Sequence, residues 1–251
     1  YIMGRAFEFR KARKMKRWSK MAKTFTRIGK DIVIAVKAGG ADPDTNSRLR
    51  QIMQNAKSAN MPKENILRAI KKASSKDTEN YEEVFLEGYA SNGIAVFIEC
   101  ATNNNNRTVA DVRSYFNKCD GALGTNGSLE YIFSRKGVFT IESSNITVNY
   151  EELEMDLIDA GLEELDLDKE CITIYCDYLD FNNMQVKLES LNIEIQKSEL
   201  QRIPNNFKTL NPKEAEKVIK LLDLLEENDD VQQVAHNMSL NEDIMHLMNT
   251  E

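Results

Sequence analysis

The spacing of apolar positions changes period once along the chain. In MAKTFTRIGKDIVIAVKAGG, residues 21–40, Met21, Phe25, Ile28, Ile32 and Ala35/Val36 recur at steps of four and three. That spacing is one stripe of a helix, and Gly39 and Gly40 close it, as glycine does just past a helix C-terminus. ADPDTNSRLRQIMQNAKSAN predicts a turn and a second helix, with Leu49, Ile52, Met53 and Ala56 on one face. Asn46 or Ser47 serves as its N-cap. MPKENILRAIKKAS starts a third helix, with Pro62 suited to the first turn and Glu64 near the positive end of the helix dipole. Ile66 and Ile70 face inward there, while Lys63, Arg68, Lys71 and Lys72 stay in water. SSKDTEN, residues 74–80, has no period and reads as a linker.

After Tyr81 the period is two. EEVFLEGYA and GIAVFIECAT read as strands joined through Ser91, Asn92 and Gly93. NRTVADVRSYFNKC is a helix with Val109, Val112 and Phe116 on one side, and GSLEYIFSRKGVFTIE is extended. NYEELEMDLIDAG is a helix ending at Gly161. ECITIYCD, helix FNNMQVKLESLN, strand IEIQKSELQRIP, helix NPKEAEKVIKLLDLLEEN and strand DVQQVAHNMSL follow. The pattern predicts an α+β multidomain protein: an N-terminal helical domain, then two ferredoxin-like α+β sandwich domains with helices on one face of each sheet. Residues 138–204 form a complete βαββαβ unit. Residues 81–137 lack a second helix and a closing strand, which residues 205–251 supply. The expected domains are therefore 3–80, 81–137 with 205–251, and 138–204, the third inserted into the second.

Charge changes the picture once it is divided along the chain. The 251 residues carry a net charge of −7. Residues 1–76 hold 20 Lys and Arg against 5 Asp and Glu, a net of +15, and residues 77–251 hold 13 against 35, a net of −22. This asymmetry suggests a polyanion-binding module joined to a body that repels polyanions. RKARKMKRWSKMAK, residues 10–23, contains eight cations, one tryptophan and no acid. On a helix its cations cover about two-thirds of the circumference. Arg10, Lys14 and Arg17 would extend the stripe of Met21, Phe25, Ile28 and Ile32, yet three cations cannot be buried in an apolar seam without partners. Either the chain breaks near residues 17–20, or the basic part projects as an arm. The candidate nucleic-acid contacts are Arg10, Lys11, Arg13, Lys14, Lys16, Arg17, Lys20, Lys23 and Arg27, with Lys63, Arg68, Lys71, Lys72 and Arg107. Trp18 is placed either to stack on a base or to pack on the domain.

Catalytic chemistry has little support. His236 and His246 have no carboxylate or second histidine at metal-set spacing, and nucleophile signatures are absent. Cys100, Cys119, Cys171 and Cys176 form no CxxC. Cys171 and Cys176, five apart on a strand, point to opposite faces, so buried free thiols are expected. The acids Glu151, Glu152 and Glu154 sit at a helix start, where the dipole accounts for them. DGALGTNGS, residues 120–128, is spaced G-x-x-G-x-x-G and follows a helix, so a turn with positive-φ positions is expected rather than a phosphate cradle. In NNNNRT, residues 103–108, Asn106 is expected to cap a helix beginning near Thr108, leaving Arg107 to meet an anion. No run approaches the ~18 apolar residues of a membrane span, and no apolar region follows the basic start as in a secretory signal. A mitochondrial presequence would run straight into core helix, so a cytoplasmic location is expected.

Four motifs carry a resemblance. SANMPKENILRAIKKA, LEGYASNGIAVFIECATNNNNRTVADVR, GALGTNGSLEYIFSRKG and ENDDVQQVAHN together resemble the YebC/PmpR family, which includes a mitochondrial translational activator of cytochrome oxidase. The likeness runs from Met3 to about Ser239. It implies a helical domain followed by two α+β domains, no enzyme activity, and a role in gene expression. Members are described as DNA-binding transcriptional regulators, and others look like ribosome-associated factors that relieve stalling on difficult peptide sequences. The opening GRAFEFRKARKMKRW departs from the family's usual one in carrying more charge and no histidine, and Asn105 stands where an arginine is common. The expected partner is nucleic acid, either DNA or ribosomal RNA, with the ribosome as a candidate. No cofactor, metal or membrane is expected, and the chain is expected to be a monomer. A protein–protein adaptor built on the acidic domains is the reading from another class.

Overall fold

The computed structural model describes the backbone of residues 3–75, 79–145, 149–168, 171–241, 243–245 and 247, with side chains from residue 21 onward. The chain divides into two compact units, Tyr1–Glu83 with Ala101–Asn103, and Val84–Cys100 with Asn104–Glu251.

The first unit holds three helices, α1 (Met3–Gly39), α2 (Ser47–Ser58) and α3 (Lys63–Ala73). The α1 backbone runs unbroken through residues 17–20, so no helix break separates the basic segment from the apolar stripe. The stripe itself is the core. Ile28, Ile32, Val33, Ala35 and Val36 pack with Leu49, Ile52, Ala56, Met61, Ile66 and Ala73. Asn46 ties the turn together: its side chain accepts from Leu49 N as the α2 cap and donates to the carbonyls of Ala35 and Gly40, both at 2.8 Å. A Cβ at Gly39 would fall 2.8 Å from this buried amide, which is why glycine stands there. Lys30 is buried, donating to the Ala101 carbonyl at 3.0 Å and lying 5.2 Å from the Tyr81 ring centre. Of the expected linker, residues 76–78 lie outside the described residues, while Glu79 O and Asn80 Oδ1 accept from Lys37.

The second unit contains two four-stranded sheets. The first is ordered β3-β1-β2-β8, from β1 (Glu82–Tyr89), β2 (Ala95–Thr102), β3 (Ala122–Leu123) and β8 (Val231–His236). Ser91–Gly93 turn β1 into β2, with Asn92 and Gly93 at φ of 58° and 69°. Helices α4 (Asn105–Lys118) and α7 (Pro212–Glu227) cover one face, burying Leu86, Val96, Ile98, Val112, Phe116, Val218 and Leu222. The second sheet is ordered β5-β6-β4-β7, from β4 (Phe133–Glu142), β5 (Leu162–Leu167), β6 (Cys171–Asp177) and β7 (Lys197–Pro204). Helices α5 (Tyr150–Ile158) and α6 (Phe181–Ser190) complete the βαββαβ succession, whose strand order is that of a ferredoxin-like sandwich. Register fixes the inner face: Gly137, Phe139 and Ile141 of β4 lie opposite Cys176, Ile174 and Ile172 of β6. Cys171 and Cys176 point to opposite faces, and burial pushes the Cys176 thiol up to about 12, so it stays protonated and unreactive.

Two expectations need correction. Residues 127–132 are turn rather than strand, and β4 begins only at Phe133; the first sheet is closed by the two-residue β3 at Ala122–Leu123. A period-two reading could not see this because Leu129, which it places on a strand, is buried by the geometry of the turn. The second correction is the α4 cap. Asn104, not Asn106, accepts from Arg107 N at 3.1 Å, and the helix starts at Asn105.

His236, on β8, gives a pH dependence. Burial lowers its pKa below the ordinary 6.5, against the opposing pull of Glu226 and a backbone hydrogen bond at Met238. Its folded form therefore resists protonation, so stability is full above about pH 6.5 and falls as acid protonates the unfolded chain preferentially. His236→Gln is expected to flatten the decline of Tm between about pH 7.5 and pH 5; an unchanged slope would show that the imidazole titrates alike in both states. His246 lies outside the described residues.

Candidate nucleic-acid interface

Basic side chains are common on protein surfaces, so what matters is whether carboxylates already engage them. In the second unit they engage part of them, while Arg113, Lys118, Lys208, Lys213 and Lys220 hold no ion pair among the described residues. Lys136 pairs with Glu163, Lys187 with Asp156, Lys197 with Glu199 and Lys217 with Asp120. Arg107 belongs to this group. Its Nη2 lies 2.8 Å from Asp230 Oδ2, which also accepts from Thr108 Oγ1 at 2.8 Å. The expectation that Arg107 is left to meet an anion is therefore not met, because Asp230 already supplies one.

The first unit differs in how few acids stand against its cations. Lys63, Arg68 and Lys71 are exposed on α3, and Lys23 is half-buried on α1; among the described residues none of them holds an ion pair. Arg27 and Lys72 stand on the same two helices and have partners. Arg48 pairs with Glu83. Arg50 and Lys57 of α2, which the sequence reading left out, are exposed and hold no ion pair among the described residues. Their signal was available: they are seven apart on one side of the helix, off the face of Leu49, Ile52 and Ala56. The side chains of Arg10, Lys11, Arg13, Lys14, Lys16, Arg17, Trp18 and Lys20 lie outside those described, and their backbone is part of α1. That stretch matters to the total, because residues 1–20 alone carry eight cations against one acid.

The glycine-rich loop is engaged from within. Glu87, buried on β1, accepts from Gly127 N at 2.9 Å, Leu129 N at 2.7 Å and Ser128 Oγ at 3.2 Å. These are the donors a phosphate would need, and a protein carboxylate occupies them. Asp120 and Gly127 take positive φ, as expected of a turn. Among the described residues no group of three or more His, Cys, Asp or Glu side chains could hold a metal ion, and no helix is long and apolar enough to cross a membrane.

Residues 5–76 match the family model described as the TACO1/YebC protein N-terminal domain, and residues 81–238 match that of the TACO1/YebC second and third domain. The chain belongs to the TACO1/YebC family. Relatives bearing the name "Probable transcriptional regulatory protein" include one from Flavobacterium johnsoniae, 57% identical over 94% of this chain and 99% of its own length. One from Porphyromonas gingivalis is 53% identical over 94% of this chain and 97% of its own. In three dimensions the chain is similar to a conserved hypothetical protein of Aquifex aeolicus, with a TM-score of 0.77 and 39% identity, covering 88% of this chain and 91% of that one. Within the TACO1/YebC family frame, the boundary between the two matched models falls where the charge of this chain changes sign.

Proposed function

We propose that this protein is a non-enzymatic regulator of gene expression that grips nucleic acid by its phosphates, in the leading reading a DNA-binding transcriptional regulator. The observation that carries the proposal is the division of charge: residues 1–76 have a surplus of fifteen cations and present Lys63, Arg68 and Lys71 without carboxylate partners, whereas residues 77–251 carry a net charge of −22. Contacts of this kind give affinity and salt sensitivity but little sequence choice. The names of the relatives support the regulatory role. In this reading the chain is organised as domains 3–80, 81–137 with 205–251, and 138–204. It acts as a cytoplasmic monomer without metal or cofactor.

One observation favours a second reading, a ribosome-associated translation factor binding ribosomal RNA. A body of net −22 is repelled by any duplex that wraps it, but not by a large particle met by one basic face. Duplex-DNA binding and ribosome co-sedimentation, each titrated with salt, separate the two. Tight, sequence-selective DNA binding without co-sedimentation supports the transcriptional reading. Weak, steeply salt-dependent DNA binding with firm co-sedimentation overturns it in favour of the ribosome, and retention on neither leaves a protein adaptor.

A further inference from the structure

The face of the first sheet turned away from α4 and α7 carries aromatic side chains that the phosphate grip does not use. On β1, Val84, Leu86 and Gly88 face the helices, so Phe85 and Tyr89 point the other way, and both are exposed. Phe85 lies 6.1 Å from Phe97 of β2, and Phe97 lies 6.2 Å from Phe133, making a continuous row of rings. Tyr131, 74% exposed, meets Tyr89 hydroxyl to hydroxyl at 3.4 Å. Its loop is held from two sides, by Glu87 as described and by Asn205, which donates to the carbonyls of Ile132 and Tyr131. Exposed rings grouped on a segment so firmly fixed are the kind of patch that marks an interaction site.

Two arginines stand beside this row. The Arg202 guanidinium lies 4.5 Å from the Phe97 ring centre, and Arg202 of β7 is the direct cross-strand partner of Arg135 on β4. Like charges directly opposite on antiparallel strands, with Cβ atoms about 5 Å apart, destabilise a sheet. Glu99 offsets this weakly, at 4.0 Å from Arg202 Nε, and that nitrogen has no hydrogen-bond partner among the described residues. Arg135 is exposed, lies 5.6 Å from the Tyr178 ring and holds no ion pair among the described residues. A facing pair of under-neutralised arginines, one of them beside the exposed Tyr178 ring, fits an anion that also carries flat apolar groups.

We propose that this arginine–aromatic strip binds single-stranded nucleic acid, with unstacked bases on Tyr131, Tyr89 and Phe85 and a phosphate between Arg135 and Arg202. A duplex hides its base faces and cannot use the rings; an unpaired strand exposes both bases and phosphates. The strip rests on the nucleic-acid reading above only for the class of ligand. Because its residues are on β1, β4, β7 and the 127–132 turn, it is tested apart from the basic helices.

The test uses the full chain and fluorescently labelled oligouridylate beside a duplex DNA of similar length, followed by anisotropy near 0.15 M salt. Tyr131→Ala and Arg135→Ala change exposed side chains, and thermal melting confirms that each variant folds. Each is expected to weaken oligouridylate binding about tenfold, as loss of one stacked base or one charged contact does, and to leave duplex binding unchanged. The conservative Tyr131→Phe retains most of the affinity if the ring is what binds. Oligouridylate affinity at the wild-type value in both alanine variants overturns the strip, including the case in which a protein covers it. Lys63→Glu with Arg68→Glu and Lys71→Glu tests the other reading: it lowers both affinities if the basic helices grip phosphate. If it lowers neither while Tyr131→Ala still weakens oligouridylate binding, the strip stands and the helical grip fails.

Discussion

Lys14→Glu, Lys16→Glu, Arg17→Glu and Lys20→Glu, made together, are expected to lower nucleic-acid affinity about a thousandfold near 0.15 M salt. Each phosphate contact releases about 0.9 of a counterion, which at this salt corresponds to about fivefold in affinity, and four contacts compound to about three decades. The slope of log affinity against log salt should flatten by about 3.6 at the same time. Lysine and glutamate have similar helix propensities, so the backbone of α1 is not penalised by the change. A matched control reverses Lys197 and Lys217, whose charges Glu199 and Asp120 already offset, and should leave binding at the wild-type level. If the fourfold reversal alters neither affinity nor salt slope, residues 10–23 are only the solvated part of a long helix.

The elements of this chain were legible where burial follows period. The stripe from Phe25 to Val36 and the alternation of Ile172, Ile174 and Cys176 both reappear as core. The βαββαβ succession could be read for the same reason, since each of its strands and helices buries one regular face. What escaped were the places where a side chain, not a period, sets the backbone. Glu87 reaches across to fix 124–129, so a stretch with strand-like spacing becomes a turn. Asp230, 123 residues from Arg107 in sequence, cannot be assigned as its partner from the local motif NNNNRT. The Arg135–Arg202 juxtaposition depends on the register of β4 against β7, which no local pattern encodes. The basic character of the first unit, in contrast, could be read by counting, because a surplus of cations over acids needs no tertiary information.

Glu87→Ala carries the largest expected effect on stability. The carboxylate is buried on the outer face of β1 and receives three donors, while its own backbone carbonyl accepts from Gly124 N at 2.7 Å. Hydrogen bonds to a charged acceptor contribute about 1.5–3 kcal/mol each, and a buried donor left unmatched adds its desolvation cost. Water can reach Gly127 at the exposed tip but not Leu129, which is fully buried. The net loss is therefore about 3 kcal/mol, below the sum of three bonds, and urea unfolding should show it as a lower midpoint at unchanged slope. Glu87→Gln keeps the volume and one accepting oxygen but turns an amide N–H₂ toward donors, so it should lose about 2 kcal/mol. The same loop carries Tyr131, so Glu87→Ala should also weaken oligouridylate binding under folding conditions, as Tyr131→Ala does, without touching the duplex. A loss under about 1 kcal/mol would mean that the loop amides find water as readily as the carboxylate. Glu87 would then be no more than a buried acid beside a turn that holds itself, and Tyr131 would keep its place without it.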